Sequence, residues 1–372
     1  MKKISQLFLL VCFICGLSFN LLKAEESEIL AKSPVFSPDS KKIAFLFNKD
    51  HVKRGMYGGN PQLFELYTID TNGNNLKKIS ESPDTSYFVQ CFCWSPNGKR
   101  IAYSAGTAEN TEEGKHLGSG IFIINSDGSN LRTFIDDEMT GEICWAPDGT
   151  NLAFTNSSGI NIANSDKRYV LIDGTEPVWS PDSKQIAFER RKPLGPDFYT
   201  IDIDGKNEKA YKLENYLGSV RNGLNWSPDG TKMYVETPIS VVVKRIKGID
   251  KYFRIVVENN NTDFFSSSRD ARLDSSLSPD GKEVIFLAYN DIYRVSSKPG
   301  GVITSGRSPR SKPVNLLNLT KTPQITEEKP LWSPDGQQIV FTISGEVWIM
   351  SSDGSNQTQL TNGQLTEKVA QE

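Results

Sequence analysis

The chain has 372 residues, 37% of them hydrophobic and 23% charged, which suits a globular protein with a substantial core rather than a disordered or fibrous one. Forty-two Lys and Arg stand against 45 Asp and Glu, a net charge of −3, so composition gives no clustered basic surface and argues against a nucleic-acid partner.

Residues 1–24, MKKISQLFLLVCFICGLSFNLLKA, follow the order of a secretory signal peptide: two lysines, an apolar stretch from Leu7 to Phe19, then Leu22-Lys23-Ala24 ahead of acidic EESE. A membrane span needs about 20 apolar residues. The stretch is therefore read as cleaved after Ala24, leaving no stable membrane span and a periplasmic or secreted protein. Lipid attachment at Cys12 or Cys15 fits poorly, because Val11 and Ile14 are not the small residues that should precede such a cysteine. Residues 25–32 form a short lead, 33–362 a repeat region and 363–372 a C-terminal tail.

The repeat is announced by an aromatic residue followed by a tight turn: FSPDS, WSPNG, WAPDG, WSPDS, WSPDG, LSPDG and WSPDG. Its leading positions are Phe36, Trp94, Trp145, Trp179, Trp226, Leu277 and Trp332, spaced 58, 51, 34, 47, 51 and 55 residues apart. Proline fixes φ at the second turn position, Asp bonds to nearby backbone and Gly accepts positive φ, so each copy predicts a hairpin. The runs that follow, such as KKIAFLF, KRIAYSA, KQIAFER and QQIVFTI, read as short buried strands. A second turn at 70–75, 125–130, 202–207 and 351–356 carries Asn-Gly or Asp-Gly, a strong hairpin signal. Each unit is thus four strands with two tight turns, and a period near 50 predicts propeller blades. The fold class expected is all-β, a seven-bladed β-propeller of four-stranded antiparallel blades. Six blades are the alternative, because the repeat degenerates between Pro238 and Ala271. The repeated aromatics are expected to pack between blades and the repeated aspartates to serve turns.

The succession of aromatic-Ser-Pro-Asp-Gly, Lys/Gln-x-Ile-Ala-Phe, Asp-Gly-Ser-Asn and Leu-Thr resembles the WD40-like repeats of TolB-type periplasmic β-propellers. The resemblance covers nearly all of 33–361. It implies a cell-envelope propeller lacking the α/β domain that precedes the propeller of TolB, and it carries little about function.

Catalytic signals are sparse. The two histidines, His51 and His116, lie in loops and are too few for a histidine-rich metal centre, so no metal and no cofactor are expected. No G-x-S-x-G elbow occurs, and no carboxylate pair stands out from the turn aspartates as a glycosidase would require. Cys91, Cys93 and Cys144 share strand parity. They are expected to be buried free thiols, those on neighbouring blades kept apart by the roughly 10 Å between stacked sheets.

Both tight turns of a blade fall at one end of a propeller; the second-to-third loops and blade-to-blade connections fall at the other. Sequence variety concentrates at that second end, where loops on a rigid scaffold carry binding residues. The partner-binding candidates there are Tyr57, Tyr87, Phe88, Arg190, Arg191, Tyr216 and Arg221, since aromatics and arginines anchor interfaces. The reading is a non-enzymatic scaffold, expected to be a monomer, for a protein of the envelope. The alternative is an envelope polysaccharide-binding or polysaccharide-degrading propeller using carboxylates at the channel mouth. The insertion 296–313, rich in Gly, Pro and basic residues, is read as a flexible loop. Closure of the ring is expected to rest on packing between the first and last blades, with no strand borrowed across the termini.

Overall fold

The computed structural model describes residues 31–48, 64–80, 87–107, 119–136, 141–192, 195–211, 224–230, 232–237, 240–245, 253–256, 275–288, 290–296, 317–322, 325 and 327–361. Every copy of the repeat carries its own four-stranded antiparallel sheet, seven among the described residues, with strands paired in sequence order inside each sheet. The sheets span 31–78, 87–136, 143–172, 175–211, 224–256, 275–318 and 327–359. First strands of neighbouring sheets touch one another, as Ala31–Phe36 does Glu327–Trp332 and Tyr87–Trp94 does Ile143–Trp145. First strands therefore converge on a central axis, the arrangement of propeller blades.

The Ser-Pro-Asp-Gly turn owes its recurrence to a small hydrogen-bond circuit. Ser37, Ser180 and Ser333 each donate Oγ–H to the Asp two residues on, at 2.7, 2.7 and 2.6 Å. The same hydroxyls accept the backbone N–H of Lys42, Gln185 and Gln338, each at 2.9 Å. The Asp carboxylate in turn accepts the N–H of Lys41, Lys184 or Gln337. These bonds favour the ionised carboxylate, and Asp39 and Asp182 are held below the usual carboxylate range, chiefly by the serine hydroxyl. The fourth turn position has a left-handed backbone, φ +71 at Gly336, which glycine adopts without steric cost. In sheets one and four that position is Ser40 and Ser183, each at φ 60. There the hydroxyl is put to use: Ser40 accepts the N–H of Asp335 (3.2 Å) and Ser183 that of Asp148 (3.0 Å), each in the turn of the preceding sheet.

The core lies between sheets rather than inside any one of them. Phe36 packs where sheets seven and one meet, Trp94 between one and two, Trp179 between three and four, and Trp332 between six and seven. Trp145 and Trp226 flank the junctions of sheets two and three and of four and five. Burying one such side chain is worth roughly 1.5–3 kcal/mol. Three tryptophans also staple the ring. Trp94, Trp179 and Trp226 donate Nε1–H to the carbonyls of Val35 (3.3 Å), Cys144 (3.2 Å) and Val178 (3.2 Å), the residue before the leading aromatic of the preceding sheet. Trp145 and Trp332 bury Nε1 without such a partner. Leu277, half-buried, ends the first strand of sheet six.

Sheet one begins at Ala31, two residues earlier than the repeat motif indicates, because Ala31 pairs with Phe47 across the hairpin. Sheet seven is complete from one continuous segment ending at Gln359. The two sheets meet through a shared apolar cluster, the Ala31 N–H to Gly345 O bond (2.8 Å) and the Lys329 Nζ to Ser33 Oγ contact (3.2 Å). The junction is made by packing, with no exchanged strand among the described residues.

Candidate functional site

The two ends of the propeller are built differently. At the turn end, the second turn of a sheet bonds to its first: Thr71 N–H to Lys41 O (3.0 Å), Ser126 to Lys99 (2.9 Å), Ile203 to Lys184 (3.1 Å) and Ser352 to Gln337 (2.8 Å). Four sheets repeat one bond, while sheet six departs at this end, its third and fourth strands being joined by residues 297–316. At the opposite end, residues 49–63 and 108–119 join second to third strands in sheets one and two, two residues suffice in each of the other five, and the sheet-to-sheet connections run from 173–174 to 257–274. Sequence variety is thus mounted on a rigid, regular base.

Of the expected contact residues, Tyr57, Tyr216 and Arg221 lie outside the described residues, as do His51, His116 and the 296–313 insertion except Ser296. Tyr87 and Phe88 open the first strand of sheet two, paired with Thr107 and Gly106 at its loop end. Arg190 and Arg191 lie near the loop end of Gln185–Lys192, paired with Asp197 and Pro196. Four of the seven are therefore brought to the varied end. Arg190 is strongly held there. Its Nε donates to Asp173 O (3.0 Å), and Nη1 and Nη2 grip Glu208 Oε1 and Oε2 at 3.0 and 3.2 Å. The guanidinium also stands 4.5 Å from the Tyr199 ring centre and 5.4 Å from that of Phe188. The Glu208 hydrogen bonds raise the Arg190 pKa further, fixing its charge.

Other groups at this end escaped sequence reading. Ser33, Glu176 and Lys329 occupy equivalent positions of their first strands, each with φ above +50 and each preceding a proline. Each falls at a register shift in the pairing. A residue before proline disfavours helical backbone, and a non-glycine with positive φ is strained by about 1–3 kcal/mol. The signal was available as x-Pro-x-aromatic-Ser-Pro in three copies. On sheet three the equivalent residue is Glu142, which accepts the Thr155 hydroxyl at 2.7 Å. Between sheets six and seven a carboxylate pair is buried. Glu327 accepts Ile292 N–H (3.0 Å), Thr320 Oγ1–H (2.7 Å) and Thr322 Oγ1–H (2.5 Å). Asp291 accepts Thr322 N–H (2.6 Å) and Asn318 Nδ2–H (2.7 Å). Burial, with the Asp291 charge adding to it, raises the Glu327 pKa against the threonine bonds.

Cys91, Cys93 and Cys144 are free thiols, as expected, but half-buried rather than fully so. Cys91 bonds to Gly141 O (3.0 Å) and Cys144 to Pro177 O (3.2 Å), each reaching the next sheet. Burial lifts Cys91 to about 11 and Cys144 to about 12. Cys93, raised first by burial, also feels Cys144, so thiols of neighbouring sheets are within electrostatic reach. Among the described residues no cluster of His, Cys, Asp or Glu has the arrangement of a metal site, and no helix is long and apolar enough to cross a membrane.

No family model matches the chain. Uncharacterized protein Atu1656 of Agrobacterium fabrum is 25% identical over 175 residues, 44% of this chain and 52% of its own, so the match spans about half the length of that relative. Among solved structures, the β-propeller domain of Cps50 (Swd1) from Myceliophteria thermophila superposes with a TM-score of 0.56 at 12% identity, over 87% of this chain and 96% of that one. An oligogalacturonate lyase in complex with manganese gives 0.54 at 14% identity, over 83% and 84%. TolB from Acinetobacter baumannii gives 0.44 at 18% identity, over 86% and 63%. These likenesses show the fold alone, a β-propeller. Its structural neighbours include an enzyme as well as WD40 domains.

Proposed function

We propose that this chain is an exported, non-enzymatic β-propeller that binds a protein partner of the cell envelope through its varied end. The observation that carries the reading is the contrast between ends: one where four sheets repeat the same turn-to-turn bond, the other where no such bond recurs among the described residues and where the long connections of sheets one and two meet sheet-to-sheet connections of differing length. Tyr87, Phe88 and Arg191, with Tyr57, Tyr216 and Arg221, are the residues proposed to meet the partner. Arg190, clamped between Glu208 and Tyr199, serves as a rigid shoulder beside them. Tyr87, Phe88, Arg190 and Arg191 lie in paired strands, so the partner meets backbone already ordered, which lowers the entropic cost of binding.

The rival reading is a polysaccharide-acting propeller, and the placement of Glu142 and Glu176 in adjacent sheets, each three residues before the leading tryptophan, favours it. One experiment separates the two. Purified mature chain is used to capture envelope proteins, and in parallel is incubated with envelope polysaccharides. A single stoichiometric protein, with no product released, supports the scaffold. Turnover that disappears in Glu142→Gln or Glu176→Gln refutes it. Mass analysis of the exported protein should begin at Glu25; an intact Met1 or a lipid-bearing cysteine would overturn the export reading.

A further inference from the structure

A groove of about 380 Å³ lies at the turn end, on the seam where sheets seven and one meet. Three other seams are clasped at this level. A side chain from the third or fourth strand of one sheet donates to a carbonyl in the second turn of the next: Lys77 to Asp127, Tyr169 to Ile203 (2.8 Å) and Arg294 to Ser352 (2.9 Å). In sheet seven the positions matching Arg294 and Lys77 are Ile349 and Thr358, which pair with one another. Neither has a long donor, and among the described residues no side chain of sheet seven closes on Thr71 or Asn72. The groove occupies the place of the clasp.

Its lining is uncharged. Asn72 and Gln338 contribute carboxamides, Thr71 and Thr358 hydroxyls, and Ile349 and Leu360 an apolar wall. Two of these depart from the repeat. The turn position held by Asn72 is Asp127, Asp204 and Asp353 in sheets two, four and seven, where the carboxylate caps the N–H two residues on. In sheet one the amide makes the same cap at 3.0 Å and leaves no charge. Gln338 corresponds to Gln185, whose Nε2 bonds Asp202 at 2.7 Å, and to Lys42, whose Nζ bonds Asp70 at 2.6 Å. In sheet seven the matching acceptor is Ser351, whose hydroxyl already receives Asn356 Nδ2–H at 3.0 Å. Among the described residues, the Gln338 carboxamide has no protein partner.

We infer that this seam groove binds a neutral pyranose unit of a glycan. Carboxamides and hydroxyls both donate and accept, as sugar hydroxyls do, and the apolar wall suits a sugar's C–H face. An anionic ligand would call for Arg or Lys, and a purely apolar one would leave the carboxamides unpaired at a cost. The volume falls in the range of small-ligand sites, about 300–1,000 Å³. The site is separate from the partner-binding end, so either proposal can fail alone.

The test uses the mature chain on an array of neutral and anionic oligosaccharides, followed by calorimetric titration of the best neutral probe. Retention of neutral probes is expected. Gln338→Ala and Asn72→Asp should each weaken binding about tenfold, the loss of one well-made hydrogen bond. Asn72→Asp keeps the turn, as Asp does at 127, 204 and 353, and an unchanged melting temperature would verify it. Gln185→Ala, the same repeat position in sheet four, should leave binding unchanged. The inference is overturned if no neutral probe binds at millimolar concentration, if only anionic probes bind, or if neither groove variant weakens binding more than Gln185→Ala.

Discussion

Trp179 and Trp332 occupy the same repeat position and are each 6% exposed, yet their indole N–H groups differ. Trp179 Nε1–H reaches Cys144 O at 3.2 Å, while Trp332 Nε1 is buried with no partner. Replacing each by phenylalanine removes a comparable piece of ring, so packing loss largely cancels in the comparison. In Trp179→Phe the hydrogen bond disappears and a carbonyl loses its donor. In Trp332→Phe a buried, unsatisfied donor disappears instead. An internal hydrogen bond contributes about 0.5–1.5 kcal/mol net, and an orphaned buried group costs about 1–3 kcal/mol. Trp179→Phe should therefore be more destabilising than Trp332→Phe by about 1.5–4.5 kcal/mol. Guanidinium unfolding followed by far-UV circular dichroism measures it, with unchanged m-values confirming that midpoints report stability. Equal losses, or a larger one for Trp332→Phe, would refute the claim that the Trp179 indole N–H staples sheet four to sheet three.

Three further outcomes follow from local geometry. Gly354 and Gly205 hold the same turn position at φ +88 and +80, but a Cβ at 354 would meet Leu319 O at 2.7 Å while one at 205 meets nothing within 4 Å. Gly354→Ala should lower the melting temperature clearly more than Gly205→Ala, and similar losses would contradict that close approach. The raised Glu327 pKa means the folded state holds this proton more tightly than the unfolded chain. Its stabilising share is full below the ordinary 4.5 and is lost as pH rises through the raised value. Glu327→Gln should accordingly gain stability relative to the parent as pH increases from 4 to 8 in denaturant titrations; a gap that narrows toward high pH in favour of the parent would refute it. With Cys91 near 11 and Cys144 near 12, both are thiols at pH 8, so alkylation should be slow in the folded protein and fast in denaturant. Rapid labelling of folded protein would show that burial does not govern these groups.

The architecture was legible because one short-range device, the Ser-Pro-Asp-Gly turn with its leading aromatic, is repeated and satisfied locally. Ser37, Asp39 and Lys42 are close in sequence as well as in space, so their circuit is visible in the letters. The junctions were less legible. Whether an indole finds a carbonyl depends on how two sheets approach, and Trp179 and Trp332 cannot be told apart by sequence. The same holds for the Asp291–Glu327 pair, drawn together from residues 36 apart in the chain. The seam groove arises from small departures, Asn72 for Asp and Ile349 and Thr358 for long donors, that gain meaning only once sheets one and seven are adjacent. At the varied end, Tyr87 and Arg191 were placed correctly by counting strands, because turn position fixes which end of a strand a residue occupies.

The central claim, partner binding at the varied end, is tested most directly by photo-crosslinking in the living envelope. Benzoylphenylalanine is installed at Tyr87, Phe88 or Arg191, and separately at Asp204 or Asp353 in the turns of the opposite end. The account predicts one discrete adduct with the same envelope protein from the first set and none with that protein from the second. Adducts from the turn end alone, or no protein adduct from any varied-end position, would contradict it.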